Sequence, residues 1–178
     1  SPDGKFITYR LSYDTKEKDT EFAQFISSDG QTYTVKARPK VSNNDPTHRL
    51  GIIDLIKDST YFVDFSQLSD IRKKPLYLNS SDSYEKDRPF IMHSLKFNPS
   101  SKNAVFDIRS YDNKDRWIAS VSPASAKLEN RHRLTDSAWI NWGFNDFGWS
   151  NDNRTLWLLS EESGYSHLYT QQGTAKPQ

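Results

Sequence analysis

One stretch of the chain carries the pattern from which the fold can be read: Trp149-Ser150-Asn151-Asp152-Asn153-Arg154-Thr155-Leu156-Trp157-Leu158-Leu159-Ser160. Two other segments repeat it, SPDGKFITYR (1–10) and FNPSSKNAVFDIR (97–109). Each has a polar turn, a basic residue and then a run rich in apolar and β-branched residues, and an aromatic residue precedes the second and third turns. Ser, Asn, Asp, Pro and Gly favour tight turns. Each copy therefore predicts a β-hairpin.

The spacing of these turns indicates the architecture. Asn98 and Asn151 are 53 residues apart, and Ser1 lies about twice as far before Asn98. A repeat of about 50 residues is typical of propeller blades, each built from four antiparallel strands. We therefore predict an all-β chain, a partial β-propeller of about three four-stranded antiparallel blades with loop insertions. Residues 1–178 would be part of one propeller domain, with blade boundaries near 95 and 147.

The segments between the turns fill in this scheme. Alternating or continuous apolar runs predict five further strands, at Gln31–Val35, Arg49–Leu55, Thr60–Phe65, Arg116–Val121 and Ser166–Thr170. Arg49–Leu55 is expected to be buried and to pair with Thr60–Phe65. The charged stretches Tyr13–Glu21 and Ser66–Arg88 predict loops or insertions, with a short helix near Ser66 to Arg72.

Composition restricts the function classes. The 24 basic and 23 acidic residues give a net charge of +1, which provides no electrostatic basis for nucleic-acid binding. No apolar run is long enough for a membrane helix. The chain has no cysteine and neither a His-Glu-x-x-His nor an Asp-x-Asp-x-Asp-Gly motif. We therefore predict no disulfide, no metal site and no cofactor.

Three local patterns, in the same order along the chain, resemble the propellers of the prolyl oligopeptidase and dipeptidyl peptidase IV family. The first is SPDGK (1–5) followed by a strand. ARPKVSNNDPTHRLGIIDL (37–55) is similar to the family's Tyr-Pro-Lys-Ala-Gly-x-x-Asn-Pro stretch and its following strand, although Arg38 replaces Tyr and Val41-Ser42 replaces Ala-Gly. WSNDNRTLWLLSEESGYSHLY (149–169) is similar to a blade that carries Ser-Glu-Arg-Asp-Gly-x-x-His-Leu-Tyr.

The resemblance implies that substrate gating and catalysis belong to different domains. In that family the propeller precedes an α/β-hydrolase domain with a Ser-Asp-His triad, and it gates and positions peptide substrates. The present chain has no Gly-x-Ser-x-Gly nucleophile elbow, so we expect no catalytic residue and no hydrolase domain within it. The resemblance implies that the parent protein is a serine-type (dipeptidyl) peptidase whose partners are its peptide substrate and its downstream hydrolase domain. Family members also suggest a periplasmic or otherwise exported location. The alternative is a TolB-like, non-enzymatic propeller that serves as a protein-interaction scaffold.

The adjacent pair Glu161-Glu162 is a tempting ligand site, because in dipeptidyl peptidases of the family two glutamates hold the ammonium group of the substrate. Neighbouring residues of a strand point to opposite faces, and the resemblance places the family's clamp upstream of Ser1. We therefore predict that Glu161 and Glu162 form a structural turn.

Other chemistry-bearing residues are given structural interpretations. None of the four histidines has a nucleophile motif nearby, and His167 is expected to be half-buried between blades. The charged turn containing Asp112, Asp115 and Arg116 is expected to be solvated, with the central channel as the alternative. The remaining candidates are aromatic: Trp149 and Trp157 are predicted to pack between blades, and Trp139 and Trp142 are left open between packing and a ligand platform.

A partial propeller has open edges. Closure of the ring protects the edge strands of each blade, and an incomplete ring leaves edges exposed. We therefore predict that the chain either self-associates through its open blade edges or covers them with its own insertions.

Overall fold

The structure is a computed structural model that describes residues 1–13, 19–37, 47–74 and 87–178. Within these ranges the chain forms twelve β-strands, one short 3₁₀ turn and no α-helix. No helix in this part of the chain is long and apolar enough to cross a membrane. The prediction of an all-β chain is therefore confirmed.

The strands form three sheets and one separate hairpin, all antiparallel. Sheet I has the order β1-β4-β5, with β1 at Phe6–Tyr13, β4 at Thr47–Asp54 and β5 at Ser59–Phe62. The hairpin pairs β2 (Thr20–Gln24) with β3 (Tyr33–Ala37). Sheet II consists of β6 (Phe90–Phe97), β7 (Ala104–Ser110), β8 (Asp115–Val121) and β9 (Leu128–Thr135) in that order. Sheet III consists of β10 (Phe147–Trp149), β11 (Thr155–Ser160) and β12 (His167–Gln172).

These sheets do not close into a ring, and their arrangement is that of a partial propeller. Sheet II has the four strands expected of a blade, whereas sheets I and III have three among the described residues. The division of residues 1–178 at boundaries near 95 and 147 stays a prediction.

The three repeated turns adopt one conformation. Gly4, Ser101 and Asn153 occupy the same position in each repeat and have φ angles of 72°, 60° and 63°. In each turn this residue donates its backbone N–H to the carbonyl three residues earlier, at 3.1, 2.9 and 3.2 Å. Glycine, and asparagine among the other residues, tolerates this left-handed region. The repeat seen in the sequence is therefore a repeat in backbone geometry.

The predicted loops need two corrections. The stretch Tyr13–Glu21 was expected to be irregular, but β2 begins at Thr20 because it pairs with β3; residues 14–18 lie outside the described part. The short helix expected near Ser66 to Arg72 is a 3₁₀ turn at Phe65–Gln67, in which the Asp64 carboxylate accepts a hydrogen bond from the Ser66 N–H. Residues 38–46 and 75–86, which contain much of the second family-like stretch and of the second predicted loop, also lie outside the described part.

Strand β7 lies at the centre of the core because both of its faces are buried. Phe106 and Ile108 are fully buried on the face toward sheet I, where they join a cluster with Leu50 and Ile52. Val105 faces the other way and packs with residues of sheet III. Burial of aliphatic and aromatic side chains of this size contributes about 1.5–3 kcal/mol each. Sheet II is therefore held between its two neighbours, and polar residues at the end of β7 are brought close to both.

Candidate functional site

A cavity of about 570 Å³ lies where the three sheets meet. Sheet I contributes Arg10 from β1, and sheet II contributes residues of β6 and β7. The loop 141–146 and the first residue of β10 form the remaining wall. The lining residues are Arg10, His93, Ser94, Asp107, Arg109, Trp142, Asn145, Asp146 and Phe147. Concave sites of this size, with a few convergent polar groups, are where proteins usually bind small ligands or peptide segments.

A bulge in β6 aims two residues at this cavity. The pairing of β6 with β7 shifts between Met92 and Leu95, so His93 and Ser94 fall out of the regular ladder. Both are exposed and both line the cavity. β-Bulges are common beside functional sites because they redirect side chains in this way.

Behind the cavity wall lies a fully buried ion pair. The Arg116 side chain is 0% exposed, and its Nε donates to the Asp107 Oδ2 at 3.0 Å. The same guanidinium donates to the carbonyl of Leu159 at 2.6 Å and to both the side chain and the backbone of Asn145. Arg116 therefore ties β8 of sheet II to sheet III and to the loop that carries Trp142.

Arg109 forms part of the wall itself. Its guanidinium carbon lies 4.0 Å from the centroid of the Trp142 ring, the geometry of a cation–π stack. Its Nε is 3.7 Å from the Asp107 Oδ1, which is an ion pair without hydrogen-bond geometry. Both of these atoms are buried and lack a hydrogen-bond partner within the part of the chain that the structure describes. Burial is also the main cause that lowers the pKa of Arg109 from its ordinary value.

The electrostatic environment of His93 reflects these cations. Although His93 is exposed, desolvation of its imidazole by the surrounding protein atoms is the largest cause that lowers the pKa of His93, followed by the positive charge of Arg109. Arg10 lowers it further, and the Arg10 guanidinium is held beside the bulge by a hydrogen bond to the carbonyl of Met92. The lowered pKa favours the neutral imidazole, which can donate one hydrogen bond and accept another at the cavity.

The prediction of a solvated charged turn is wrong for Asp115 and Arg116, which are both buried. Asp115 is paired with Arg88 and Arg133, and Arg88 also pairs with Asp112 at 2.8 Å. Buried charges require such partners. The charged character of this segment therefore reflects an internal ion-pair network.

The structure places Glu161 and Glu162 in the turn between β11 and β12, away from the cavity. The N–H of Gly164 closes the turn on the carbonyl of Glu161 at 2.8 Å. The Glu162 Oε2 lies 2.9 Å from Nε2 of His132, which is on β9. Glu162 thus contacts the neighbouring sheet, and neither glutamate lines the cavity.

The aromatic candidates divide between core and cavity. Trp149 packs against the cluster between sheets II and III, and the Trp157 ring lies against Gly148. Trp139 is 63% exposed, whereas Trp142 lines the cavity. The prediction that His167 is half-buried is wrong: it is exposed, because it is the first residue of β12 and lies next to the turn after β11. Its Nδ1 lies 3.1 Å from the Ser163 hydroxyl.

Asp107, Arg109 and Asn145 were not singled out from the sequence. A signal for the first two exists, because Asp107 and Arg109 alternate with Ile108 in a strand that is otherwise apolar. Two opposite charges on one face of a predicted core strand indicate a polar site within the core. Among the described residues, no group of three His, Cys, Asp or Glu side chains is placed to hold a metal ion.

Solved structures with the same fold come from longer proteins. The chain aligns with a protein described as a dipeptidyl aminopeptidase IV from Bacteroides ovatus at a TM-score of 0.61 and 11% identity, covering 97% of this chain and 22% of that one. It aligns with dipeptidyl peptidase 4 of Porphyromonas gingivalis at a TM-score of 0.67 and 13% identity, covering 100% of this chain and 23% of that one. The chain thus spans about a quarter of the length of these proteins. No curated protein sequence matches it.

The sequence also matches a family model over its whole length. Residues 1–178 fit the model of the dipeptidyl peptidase IV (DPP IV) N-terminal region. This match agrees with the order of the three patterns found in the sequence and confirms the resemblance that they indicated. The chain therefore belongs to the dipeptidyl peptidase IV N-terminal region family.

Proposed function

We propose that this chain is a non-catalytic wall of the substrate chamber in a dipeptidyl peptidase IV-like serine peptidase. It would gate access and position peptides for a hydrolase domain elsewhere in the same protein. Family membership supports this role, and the cavity between the three sheets is the observation that carries it, because it gathers groups suited to a peptide ligand.

The cavity lining suits an extended peptide. His93 and Ser94 offer neutral donors and acceptors, which peptide N–H and C=O groups require when they leave water. Trp142 supplies an aromatic face, and Arg10 and Arg109 supply charged donors. A site built from an aromatic surface and a few fixed polar groups binds by shape and hydrogen bonding without performing chemistry.

This role can be tested by blocking the cavity with a large side chain. Ser94 is exposed on the bulge and lines the cavity, so Ser94→Trp in the full-length protein places an indole in the proposed peptide path. We expect kcat/KM for dipeptidyl peptide substrates to fall at least about tenfold, since a blocked chamber weakens transition-state binding. Hydrolysis of a small activated ester, which needs only the triad, should stay within about twofold.

The matched control is Lys102→Trp. Lys102 is exposed in the turn between β6 and β7, and it does not line the cavity. Its substitution should leave both activities unchanged. Equal peptide kcat/KM values for Ser94→Trp and Lys102→Trp would contradict the proposed chamber, and an inactive full-length protein that also resists labelling by a fluorophosphonate would contradict the assignment to serine peptidases.

Self-association through open edges is a second proposal. The hairpin β2–β3 pairs with none of the other described strands, so it does not cover the edges of the three sheets. Strand β12 ends sheet III among the described residues. Gln178 already bonds the backbone N–H and carbonyl of Thr170, whereas Leu168, nearer the start of the strand, is 63% exposed. We expect light scattering coupled to size-exclusion chromatography to show a concentration-dependent dimer of the 178-residue chain, which Leu168→Asp reduces; a monomer at all concentrations would contradict self-association.

A further inference from the structure

The least satisfied group in the cavity is the guanidinium of Arg109. Its side chain is 20% exposed, and it donates no hydrogen bond to any of the described residues. The nearest anion, Asp107, is already bound through Oδ2 to Arg116, and its Oδ1 lies 3.7 Å from the Arg109 Nε. The Arg109 Nε is buried without a hydrogen-bond acceptor among the described residues, and leaving a buried N–H unpaired is costly.

The surrounding charge is positive. Among the described residues, Asp107 is the anion that faces Arg109 in the wall and Arg116 behind it, and Arg10 adds a further positive charge. Asp146 also lines the cavity, but it is neutralised by Lys96, whose Nζ lies 2.6 Å from the Asp146 Oδ1. Among the described residues, the cavity is therefore short of an anion.

The position of the Arg109 guanidinium suits the binding of a planar anion. The Arg109 guanidinium carbon lies 4.0 Å from the centroid of the Trp142 ring, and this contact limits the movement of the side chain. Nε is directed toward Asp107, so the two terminal nitrogens form the part of the fork available to a ligand. Such a fork matches the two oxygens of a carboxylate in a bidentate pair.

We propose that Arg109 is a specificity-determining residue that binds a carboxylate of the peptide in this cavity. The inference rests on the proposed function, because that function makes a peptide the ligand. Two carboxylates of a peptide have this chemistry, an acidic side chain and the free C-terminus. Arg10 stands on the opposite sheet and adds to the positive potential without contacting Arg109.

The test compares matched peptides on the full-length protein. One arm uses peptide pairs that carry Glu or Gln at successive positions after the N-terminal residue, and the other uses pairs with a free or an amidated C-terminus. A charge-assisted hydrogen bond is worth about 1.5–3 kcal/mol, or about 10- to 100-fold. We expect this preference for the carboxylate form in kcat/KM in one arm, and that arm identifies the source of the carboxylate.

Variants of Arg109 supply the control. Arg109→Gln should reduce the preference to about onefold, and Arg109→Lys should restore part of it, because an ammonium keeps the charge without the fork. Arg154→Gln removes one positive charge from an exposed turn residue and should leave the preference intact. Circular dichroism checks that each variant is folded.

Each outcome separates this inference from the proposed function. Peptide cleavage with equal rates for the carboxylate and neutral forms overturns the inference and leaves the proposed function standing. Absence of any peptide cleavage counts against the proposed function, and isothermal titration of the same peptide pairs then decides the role of Arg109. The proposal that Arg109 binds a peptide carboxylate would be contradicted by equal affinity of wild type and Arg109→Gln for the acidic peptide. Tighter binding of inorganic phosphate than of the peptide would also contradict it.

Discussion

The backbone N–H of Ser100 donates a 2.6 Å hydrogen bond to the side-chain oxygen of Asn153 across the gap between sheets II and III. One sheet earlier, the N–H of Asp3 donates to the Ser101 hydroxyl at 3.0 Å. In both pairs the donor is the third residue of one turn and the acceptor is the fourth residue of the next. The repeated turn thus reverses the chain within a sheet and also links neighbouring sheets.

Asn153 has two roles that different substitutions separate. Asn153→Gly removes the hydrogen bond but tolerates the φ of 63°, and we expect it to lower the free energy of unfolding by about 1 kcal/mol. Asn153→Ala also strains the backbone and should cost about 1 kcal/mol more. Urea denaturation measures both. Asn151→Ala, in the same turn but exposed, should change stability by less than about 0.5 kcal/mol; equal values for all three variants would contradict the link between turns.

The buried pair of Arg116 and Asp107 should be the most sensitive point of the junction between sheets II and III. Arg116→Met leaves the Asp107 carboxylate buried without its main partner, and we expect the free energy of unfolding to fall by about 3–5 kcal/mol. The double variant Arg116→Met with Asp107→Leu should recover at least half of that loss, because both charges are gone. Equilibrium denaturation in urea tests this, and a loss in the double variant as large as in the single one would argue against an uncompensated charge as the cause.

Gly51 allows an aromatic ring to lie on β4. Gly51 pairs directly with Tyr9 of β1, and a Cβ added at Gly51 would overlap the Tyr9 ring. The ring also contacts Phe62 edge-to-face at 6.1 Å. We expect Gly51→Ala to destabilise the protein by about 1–3 kcal/mol, since it overpacks sheet I.

The second-site variant Tyr9→Leu should make Gly51→Ala less costly than it is in the wild-type background. Thermal unfolding of the four proteins gives this coupling. Strictly additive losses would show that the ring and the glycine do not depend on each other.

The hydrogen bonds of the third repeated turn should be detectable as a lowered pKa of the Asp152 carboxyl. The Asp152 carboxylate accepts hydrogen bonds from the Thr155 hydroxyl at 2.5 Å and from the N–H groups of Thr155 and Arg154, both at 2.9 Å. These bonds lower the pKa of Asp152 from 3.8 to about 2, with the Thr155 hydroxyl as the largest cause. Because the folded pKa lies below the unfolded one, the contribution is present above about pH 4 and is lost as the pH falls through 2.

Carbon-detected NMR of the side-chain carboxyl measures this pKa. We expect a midpoint near 2 for Asp152, and Thr155→Val should move it upward because the hydroxyl donor is lost. A wild-type midpoint near 3.8 would contradict the hydrogen bonding of this turn.

Local chemistry allowed much of the fold to be predicted. The repeated turns and the strands predicted at 49–55 and 116–121 follow from residue types that favour reversals and extended, half-buried chains. The strand predicted at 60–65 ends at Phe62, because Phe65 begins the 3₁₀ turn. The strand that begins at Thr20 was missed although its partner was predicted at Gln31–Val35, because Thr20–Gln24 has Phe22 as its one large apolar residue and therefore no apolar alternation.

The candidate site could not be predicted in the same way. Arg10, His93 and Trp142 are far apart in the sequence and meet only because three sheets converge. The sequence also indicated a solvated turn at Asp115 and Arg116, since charged residues are usually exposed. Their burial depends on partners such as Arg88 and Asp107, and no local pattern identifies those pairs.

Photo-cross-linking tests the central claim most directly. A slowly cleaved dipeptidyl inhibitor with a benzophenone on its third residue would be irradiated on the full-length protein, and the labelled peptides identified by mass spectrometry. We expect labels on the cavity wall of this chain, at His93–Ser94 and around Trp142, and their loss in the presence of excess unlabelled peptide. Competed labels found only outside residues 1–178 would contradict the claim that this chain forms part of the substrate chamber.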